Sequence, residues 1–365
     1  MTTMFTVERG NLRRTHWREA AAAPLANGQV RLRVGPFALT SNNITYAAFG
    51  DAMRYWDFFP TGDSATGCIP VWGFATVSES LADGVDEGER FYGYWPMADE
   101  AILEPTRIVS EGFVDASAHR RELPEVYNRY VRCSGDPAYR PEHEGLIALL
   151  RPLFVTSFLI DDFLADNAFF GAGTVLVSSA SSKTAYGLGY CVALRRGGAD
   201  APASVGLTSA PNLVFAGGLG CYDRVVAYDE LGGLASDTGA VYVDLSGNAR
   251  LRAQIHDRWG DSLAYSCSVG GTHWESLGGG KGLAGPRPVL FFAPAQINKR
   301  IADWGAIGLQ ERLAAAWAGF IETVDDTERP WLRVVSATGR DAVEQTYFAL
   351  LDGRVPADEG RVLAL

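Results

Sequence analysis

A short serine-rich segment follows an apolar run near the middle of the chain. Residues 178–185 are Ser-Ser-Ala-Ser-Ser-Lys-Thr-Ala and come directly after Gly-Thr-Val-Leu-Val. In a dinucleotide-binding fold the turn after the first strand needs small residues, because backbone N–H groups and a helix N-terminus contact the pyrophosphate there. The usual glycines are absent, and small or hydroxyl-bearing residues stand in their place: Ser179, Ala180, Ser181, Ser182 and Thr184. Lys183, one of three lysines in the chain, adds a positive charge, so the segment predicts a phosphate-binding turn.

Two other interpretations of this segment stay open. A serine-rich helix start beside a solvated lysine has the same composition, because serine caps helix N-termini. A degenerate Walker A loop would also end in Ser-Lys-Thr, although Val177 and Ser182 occupy the two positions where that motif has glycine.

The next apolar run decides which nicotinamide cofactor would fit. It ends in Leu-Thr-Ser-Ala-Pro-Asn (207–212), without Asp or Glu. A carboxylate at this place would bind the ribose 2′-hydroxyl of NAD and repel the 2′-phosphate of NADP. Thr208, Ser209 and Asn212 offer hydrogen bonds to a phosphate instead, and the sequence therefore predicts NADP(H). A Ser/Thr turn that caps the following helix would use the same residues.

Alternating strand and helix patterns surround these residues. Continuous apolar runs, typical of strands buried on both faces of a parallel sheet, occur at 173–179, 203–209 and 288–294. Helices are predicted at 184–196 and 211–220, and further strands at 224–229, 240–247 and 262–271. This alternation predicts an α/β fold with a doubly wound parallel sheet, whose ligands bind at the carboxyl ends of the strands.

The two ends of the chain have a different pattern. Residues 1–150 predict a β-rich domain, with strands at 29–34, 71–79 and 89–94. The tail predicts a helix around 307–323, a strand near 331–336, a helix near 340–352 and a strand at 361–365. We therefore expect one discontinuous domain formed by 1–150 and 326–365, and a dinucleotide-binding domain formed by 151–325.

The composition excludes several classes of protein. The 365 residues carry a net charge of −11 without a basic cluster, which argues against a nucleic-acid-binding groove. No window approaches 18 apolar residues and the amino terminus lacks the apolar core of a signal peptide, so we expect a cytoplasmic protein. The five cysteines are widely spaced without a CxxC pair, and they predict reduced thiols rather than disulfides or a zinc knuckle.

Several segments, in order along the chain, resemble the medium-chain dehydrogenase/reductase superfamily, especially its zinc-free, quinone-oxidoreductase-like branch. They are QVRLRVGPFALTSNNITY (29–46), PVWGFATVSESLADGVDEGERFYGY (70–94), GTVLVSSASSKTAYGLG (173–189) and the ending at 330–365. Shorter segments, namely NNITYA, YWDFFP, SSASSKTA, LTSAPN and GTHW, resemble a divergent microbial branch that is a domain-of-unknown-function family. The resemblance implies a Rossmann-type dinucleotide-binding domain together with a β-rich, GroES-like catalytic domain.

The chain departs from that superfamily where its zinc-dependent members bind metal. Those members have Cys where this chain has Thr40-Ser41, and His-Glu where it has Trp72-Gly73. No other Cys/His cluster has tetrahedral zinc spacing, so we expect no metal. The Tyr-x-x-x-Lys pair of short-chain reductases and the Gly-x-Ser-x-Gly motif of α/β-hydrolases are also absent.

A reductase without zinc needs another group that donates a proton or a hydrogen bond to the developing oxyanion. Tyr46 resembles the position of a tyrosine near the substrate in quinone-reductase relatives, and a neutral phenol can donate. Asn42 and Asn43 could orient the substrate or the nicotinamide amide. His273 suits proton transfer by its titration range, and Gly270 would let the backbone approach the cofactor. The alternatives are a packed aromatic side chain for Tyr46 and a structural histidine for His273.

Residues 50–60 are dense in aromatic side chains and end in a proline. Together with Asn42, the side chains of Tyr55, Trp56 and Phe58 are candidates for the wall of an apolar substrate pocket. A packed surface loop is the alternative interpretation.

These patterns together predict a zinc-independent, NADPH-dependent oxidoreductase that transfers hydride to an apolar carbonyl, enone or quinone. The alternative is a non-catalytic NADP(H)-binding sensor or scaffold, because the glycine fingerprint is eroded and no catalytic pair is firmly assigned. We expect a small apolar substrate and no nucleic-acid or membrane partner. The strand at 288–294 could pair across a twofold axis and form a homodimer.

Overall fold

Two compact units make up the chain. The computed structural model describes residues 1–198, 201–269 and 282–365. Unit 1 comprises Met1–Arg151 and Leu332–Leu365, and unit 2 comprises Pro152–Trp331. Within the described residues, no helix has both the length and the apolar character needed to cross a membrane.

Strands dominate the amino-terminal part, which consists of β1 (Thr2–Glu8), β2 (Asn11–Ala20), β3 (Val30–Leu39), α1 (Ser41–Ala48), β4 (Thr66–Gly67), β5 (Pro70–Ser80), β6 (Arg90–Pro96), β7 (Glu100–Leu103), β8 (Pro105–Val109), β9 (Gly112–Asp115) and β10 (Arg129–Arg132). The middle part consists of α2 (Glu144–Asp166), β11 (Thr174–Ser178), α3 (Lys183–Ala193), β12 (Ala203–Thr208), α4 (Leu213–Gly218), β13 (Arg224–Ala227), β14 (Ala240–Asp244), α5 (Ala249–Trp259), β15 (Leu263–Ser268), β16 (Val289–Leu290) and α6 (Ala293–Val324). The carboxyl-terminal part consists of β17 (Arg333–Thr338), α7 (Arg340–Leu351) and β18 (Glu359–Ala364).

Unit 1 is built on a largely antiparallel sheet. Its strands lie in the order β17-β18-β3-β5-β6-β10-β9-β8, with β7 also paired to β3, and a smaller sheet has the order β2-β1-β4. Val30, Leu32 and Val34 alternate along β3 with more exposed residues and are buried, as the period of a half-buried strand requires. β18 pairs with β3 so that Val362 lies opposite Ala38, and the carboxyl-terminal segment thereby completes this sheet.

The register between β5 and β6 places four aromatic side chains on one face of this sheet. Trp72 lies opposite Tyr94, and Phe74 lies opposite Tyr92. Side chains alternate between the two faces with a period of two, so these four share a face.

Helix α1 begins at a capped turn directly after β3. Thr40 is the N-cap, and its hydroxyl accepts a hydrogen bond from the Asn42 N–H at 3.2 Å. Asn43 completes a capping box, because its Oδ1 accepts from the Thr40 N–H at 2.7 Å. The helix therefore starts at a fixed place and carries Asn42 and Tyr46, one turn apart, on the same side.

Unit 2 contains a parallel sheet in the order β13-β12-β11-β14-β15-β16. Numbered from its first strand, β11, this order is 3-2-1-4-5-6, the order of doubly wound dinucleotide-binding sheets. The strand order reverses between β11 and β14, so the turn after β11 lies at the place where such sheets bind their ligands.

Two of the predicted elements differ markedly in extent from those in the structure. The strand expected over 288–294 is limited to Val289–Leu290, because Pro294 lies at the start of α6, where its fixed φ favours a helix. The helix expected around 307–323 extends over Ala293–Val324 and is interrupted at Gly305, whose φ is 75°. That glycine breaks the helical pattern, so only the second half of α6 was predicted. β16 is an edge strand of the described sheet, and its pairing across a twofold axis stays a prediction.

Candidate functional site

Unit 1 contains a group of aromatic side chains that we call the aromatic cluster: Tyr46, Tyr55, Trp72, Tyr94 and Tyr127. The ring centroids are 4.5 Å apart for Tyr46 and Tyr55, 5.7 Å for Tyr46 and Tyr94, and 4.7 Å for Tyr94 and Tyr127. Tyr55, Trp72 and Tyr127 are only half-buried. The cluster therefore forms an apolar surface that bears several hydroxyl groups and is partly open within unit 1.

The Tyr46 hydroxyl has the most hydrogen bonds in this cluster. Its oxygen accepts from Asn42 Nδ2 at 2.8 Å and from Trp72 Nε1 at 3.4 Å. Burial raises the pKa of Tyr46 well above the ordinary value of a phenol. Tyr46 is therefore neutral at physiological pH and retains a proton that it can donate.

Other hydroxyl groups lie on the same face of unit 1. The Tyr55 and Tyr127 hydroxyls are 3.3 Å apart. The Tyr92 hydroxyl is buried and has no hydrogen-bond partner among the described residues. Buried polar groups are normally hydrogen-bonded, so this hydroxyl is typical of a place where a ligand or an ordered water completes the bonding.

Three of the predicted pocket residues contact the aromatic cluster. Asn42 hydrogen-bonds Tyr46, and Tyr55 is a member of the cluster. Phe58 packs behind it, with its ring centroid 5.3 Å from those of both Tyr94 and Tyr127.

Two predicted site residues are packed tightly into the fold. Trp56, predicted for a pocket wall, is 2% exposed, and a Cβ at either Gly50 or Gly67 would overlap its ring. Asn43 is also buried, and its Oδ1 caps α1 while its Nδ2 donates to the Pro70 carbonyl at 2.9 Å. Both the oxygen and the nitrogen of the Asn43 amide are therefore used in structural hydrogen bonds.

A buried arginine, Arg120, hydrogen-bonds the backbone of one member of the aromatic cluster. Arg120 NH1 is 3.1 Å from Asp115 Oδ2, and both side chains are almost fully buried. The guanidinium also donates to Asn128 Oδ1 at 2.9 Å, to Tyr130 Oη at 2.7 Å and to the Tyr127 carbonyl at 2.7 Å. The backbone of Tyr127 is thus fixed by a charged group in the core.

In unit 2, the serine-rich segment forms the turn between β11 and α3. Ser179 has a φ of 52°, the left-handed conformation that glycine usually provides. Ala180 and Ala185 are fully buried, and their small side chains allow α3 to pack closely on the sheet. Ser182 is the N-cap of α3, and its hydroxyl accepts from the Ala185 N–H at 3.3 Å. The turn is thus tight and leads directly into the N-cap of α3 without any glycine.

Side chains from neighbouring strands hold this turn in place. The Tyr228 hydroxyl, after β13, accepts from the Ser179 N–H at 3.1 Å. Thr208 Oγ1 donates to Ser181 Oγ at 3.3 Å. Ser178 Oγ accepts from two backbone N–H groups that follow β14, at 2.9 and 3.1 Å, and so connects the strands on both sides of the switch point.

The end of β12 carries hydroxyl and amide groups and no carboxylate. Thr208 is buried, and its hydroxyl is used in a hydrogen bond within the turn. Ser209 and Asn212 are half-buried, with Asn212 Nδ2 donating to Ser209 Oγ at 3.2 Å. Of the three predicted phosphate ligands, Ser209 and Asn212 are therefore the accessible ones.

Lys183 is the first residue of α3. The first turn of this helix contains no acidic side chain. A helix N-terminus carries partial positive charge, and the Lys183 ammonium adds a full positive charge at the same place.

Residues 37–356 match the protein-family model described as "Protein of unknown function (DUF2855)". The chain belongs to the DUF2855 family. No curated protein matches the sequence of this DUF2855 chain.

Several solved structures share the fold of the DUF2855 protein. CurA from Vibrio vulnificus in complex with NADPH is similar over 100% of this chain and 98% of that chain, with a TM-score of 0.63 and 13% identity. The quinone oxidoreductase from Coxiella burnetii has a TM-score of 0.55 and 13% identity, over 100% of this chain and 99% of that chain. The yhdH oxidoreductase from Salmonella enterica in complex with NADP has a TM-score of 0.54 and 13% identity, over 100% of both chains. These likenesses confirm the predicted fold class, a doubly wound parallel sheet together with a β-rich domain.

Some site residues lie outside the described part of the DUF2855 chain, and others were missed. Gly270 and His273 are outside the described residues. Trp72, Tyr94, Tyr127 and Tyr228 were not predicted. The alternation of aromatic residues along β5 and β6 is a signal for the first two, whereas the last two follow no periodic pattern. Among the residues described, no three or more His, Cys, Asp or Glu side chains are grouped so as to hold a metal.

We expect the DUF2855 protein to lose stability in alkaline solution. Burial raises the pKa values of Cys68 and Cys267 to about 12, and it also raises those of Tyr46 and Tyr92. Above the unfolded values, about 8.5 for Cys and about 10 for Tyr, the unfolded chain therefore binds fewer protons than the folded one. The free energy of unfolding, measured with urea, should stay level from pH 7 to about 8 and fall progressively above it. A stability that holds constant up to pH 11 would contradict the burial of these groups.

Proposed function

We propose that this protein is a zinc-independent, NADPH-dependent oxidoreductase that transfers hydride to an apolar carbonyl, enone or quinone. The observation that carries the proposal is the 3-2-1-4-5-6 strand order with an acid-free second strand and a lysine at the start of α3. Two structures of similar fold, CurA and yhdH, were solved in complex with NADPH and NADP.

The residues of unit 2 fit a bound NADP(H). Ser179 adopts the left-handed conformation that a tight turn requires. Ala180 and Ala185 are small and buried, so they allow the close helix packing that glycines usually allow. Lys183 would pair with the 2′-phosphate, and Ser209 and Asn212 would hydrogen-bond the same group.

Unit 1 supplies the acid–base chemistry in this proposal. The reduced nicotinamide supplies hydride when it is bound. Tyr46, neutral because it is buried, donates its hydroxyl proton to the oxygen on which negative charge develops. The aromatic cluster offers an apolar surface to a flat substrate.

The side chains at the zinc positions of related enzymes support the zinc-independent part of the proposal. Thr40 is used as the N-cap of α1, and the Trp72 indole donates its N–H to Tyr46. Neither side chain is a zinc ligand.

The direct test is calorimetric titration with NADPH, followed by assays of NADPH oxidation with a panel of quinones and enones. We expect binding and turnover of at least one acceptor. Absence of NADP(H) binding would refute the proposal. Tight binding without turnover of any acceptor would instead favour a non-catalytic NADP(H)-binding sensor or scaffold.

Lys183→Ala should discriminate between the two cofactors. If Lys183 pairs with the 2′-phosphate, the substitution weakens NADPH binding roughly tenfold and NADH binding much less, because a charge-assisted hydrogen bond is lost only with NADPH. Lys299→Ala is the matched control in the same unit, since Lys299 pairs with Asp166 and Asp303. Equal losses for NADPH and NADH would show that Lys183 does not contact the 2′-phosphate.

A further inference from the structure

The Tyr46 oxygen is held by two groups that donate to it. The Trp72 indole nitrogen is a donor only, so in the Trp72–Tyr46 contact the phenol oxygen must accept. Asn42 Nδ2 donates to the same oxygen from one turn earlier in α1. The two N–H groups thereby occupy both acceptor positions of the phenol oxygen. The hydroxyl hydrogen of Tyr46 is therefore directed away from both nitrogens.

Trp72 itself is held firmly in place. It lies opposite Tyr94 in the β5–β6 pair. Its ring stacks on Tyr92 with a centroid distance of 5.6 Å and an angle of 19°, and it lies 5.0 Å from the Tyr94 ring. The direction of the indole N–H is therefore set by packing rather than by its contact with Tyr46.

We propose that Trp72 is a positioning residue for catalysis: its indole N–H, together with Asn42, orients the Tyr46 hydroxyl towards an acceptor oxygen and stabilises the negative charge left on Tyr46. This inference rests on the proposed role of Tyr46 as proton donor. As hydride adds to the carbonyl carbon, the C=O π electrons move to oxygen, and that oxygen takes the Tyr46 proton. The Tyr46 phenolate then accepts two N–H hydrogen bonds until water returns a proton to it.

The contact can be tested without substrate or cofactor, by the NMR signals of ¹⁵N-labelled indole groups. The chain has nine tryptophans, and Trp72→Phe identifies the Trp72 signal by its loss. We expect Tyr46→Phe to move that one indole N–H signal upfield, because its acceptor is removed, and to leave those of the distant tryptophans in place. A Trp72 signal that does not move in Tyr46→Phe would overturn the inference.

The direction of the hydroxyl can be tested with acetophenone, an unreactive aryl ketone in the absence of NADPH. Its ¹³C-labelled carbonyl stretching band moves to lower frequency when a hydroxyl donates to the oxygen. We expect the largest displacement in the wild-type protein, a clearly smaller one in Trp72→Phe, and none in Tyr46→Phe. Trp17→Phe is the matched control, since Trp17 packs on Phe5 in the smaller sheet, and it should behave as the wild type.

The outcomes separate this inference from the proposed function. A band displaced equally in wild type and Trp72→Phe would overturn the positioning role while leaving Tyr46 as donor. A band displaced equally in wild type and Tyr46→Phe, or no displaced band at all, would overturn both. The expected bands together with a protein that oxidises no NADPH would support the positioning contact and refute the oxidoreductase.

Discussion

Arg120→Met is expected to lower the free energy of unfolding of unit 1 by about 3–5 kcal/mol, because it leaves the buried Asp115 carboxylate without its counter-charge. Methionine preserves much of the volume, so the loss arises from the charge and the hydrogen bonds rather than from a cavity. The Asn128 amide, the Tyr130 hydroxyl and the Tyr127 carbonyl lose a donor at the same time. Urea denaturation followed by tryptophan fluorescence measures the change.

Arg129→Met provides the control for this experiment. Arg129 pairs with Glu125 at the surface, where both side chains are largely exposed. Exposed ion pairs contribute about 1 kcal/mol or less, so the control should change the stability little. Two variants that lose the same small amount of stability would show that the Arg120–Asp115 pair does not anchor unit 1.

Tyr46→Phe is expected to have the largest effect on turnover. Removal of the hydroxyl should lower kcat by at least about 100-fold, the usual contribution of a positioned proton donor. The change removes one oxygen atom and keeps the ring contacts with Tyr55 and Tyr94, so the Kd for NADPH should stay unchanged. Stopped-flow or steady-state measurement of NADPH oxidation gives kcat, and calorimetry gives the Kd.

The matched control is Tyr347→Phe. Tyr347 is also a buried tyrosine of unit 1, and its hydroxyl donates to the Leu12 carbonyl at 2.7 Å. It lies outside the aromatic cluster, so its loss should affect stability without affecting kcat. A Tyr46→Phe variant as active as the wild type would refute the donor role.

The centre of the parallel sheet could be predicted from the sequence because two of its adjacent strands, β11 and β12, come from apolar runs. The runs at 173–179 and 203–209 became β11 and β12 almost unchanged, and the serine-rich turn lies between β11 and α3 as expected. Periodicity carries this information, since burial on both faces selects apolar residues at every position.

The contacts of the candidate site could not be predicted in this way. The Trp72 N–H reaches Tyr46 only because the register of β5 and the capped start of α1 bring two distant segments together. A tryptophan in an aromatic-rich loop fits a pocket wall or a core equally well, and the glycines that enclose Trp56 are adjacent only in space. The amino-acid composition does not indicate which residues far apart in the sequence lie together in the fold.

The pairing of β18 with β3 has a consequence for biosynthesis. These strands are neighbours in the sheet although almost the whole chain separates them, so unit 1 cannot close its sheet until β18 has left the ribosome. Unit 2 is continuous from Pro152 to Trp331 and has emerged completely before that moment. Amino-terminal domains usually fold first. Here unit 1, which contains the amino terminus, can complete its fold only after unit 2 has emerged. During the interval the part of β3 that pairs with β18, Phe37–Leu39, presents an unpaired edge, and unpaired strand edges favour association with other chains.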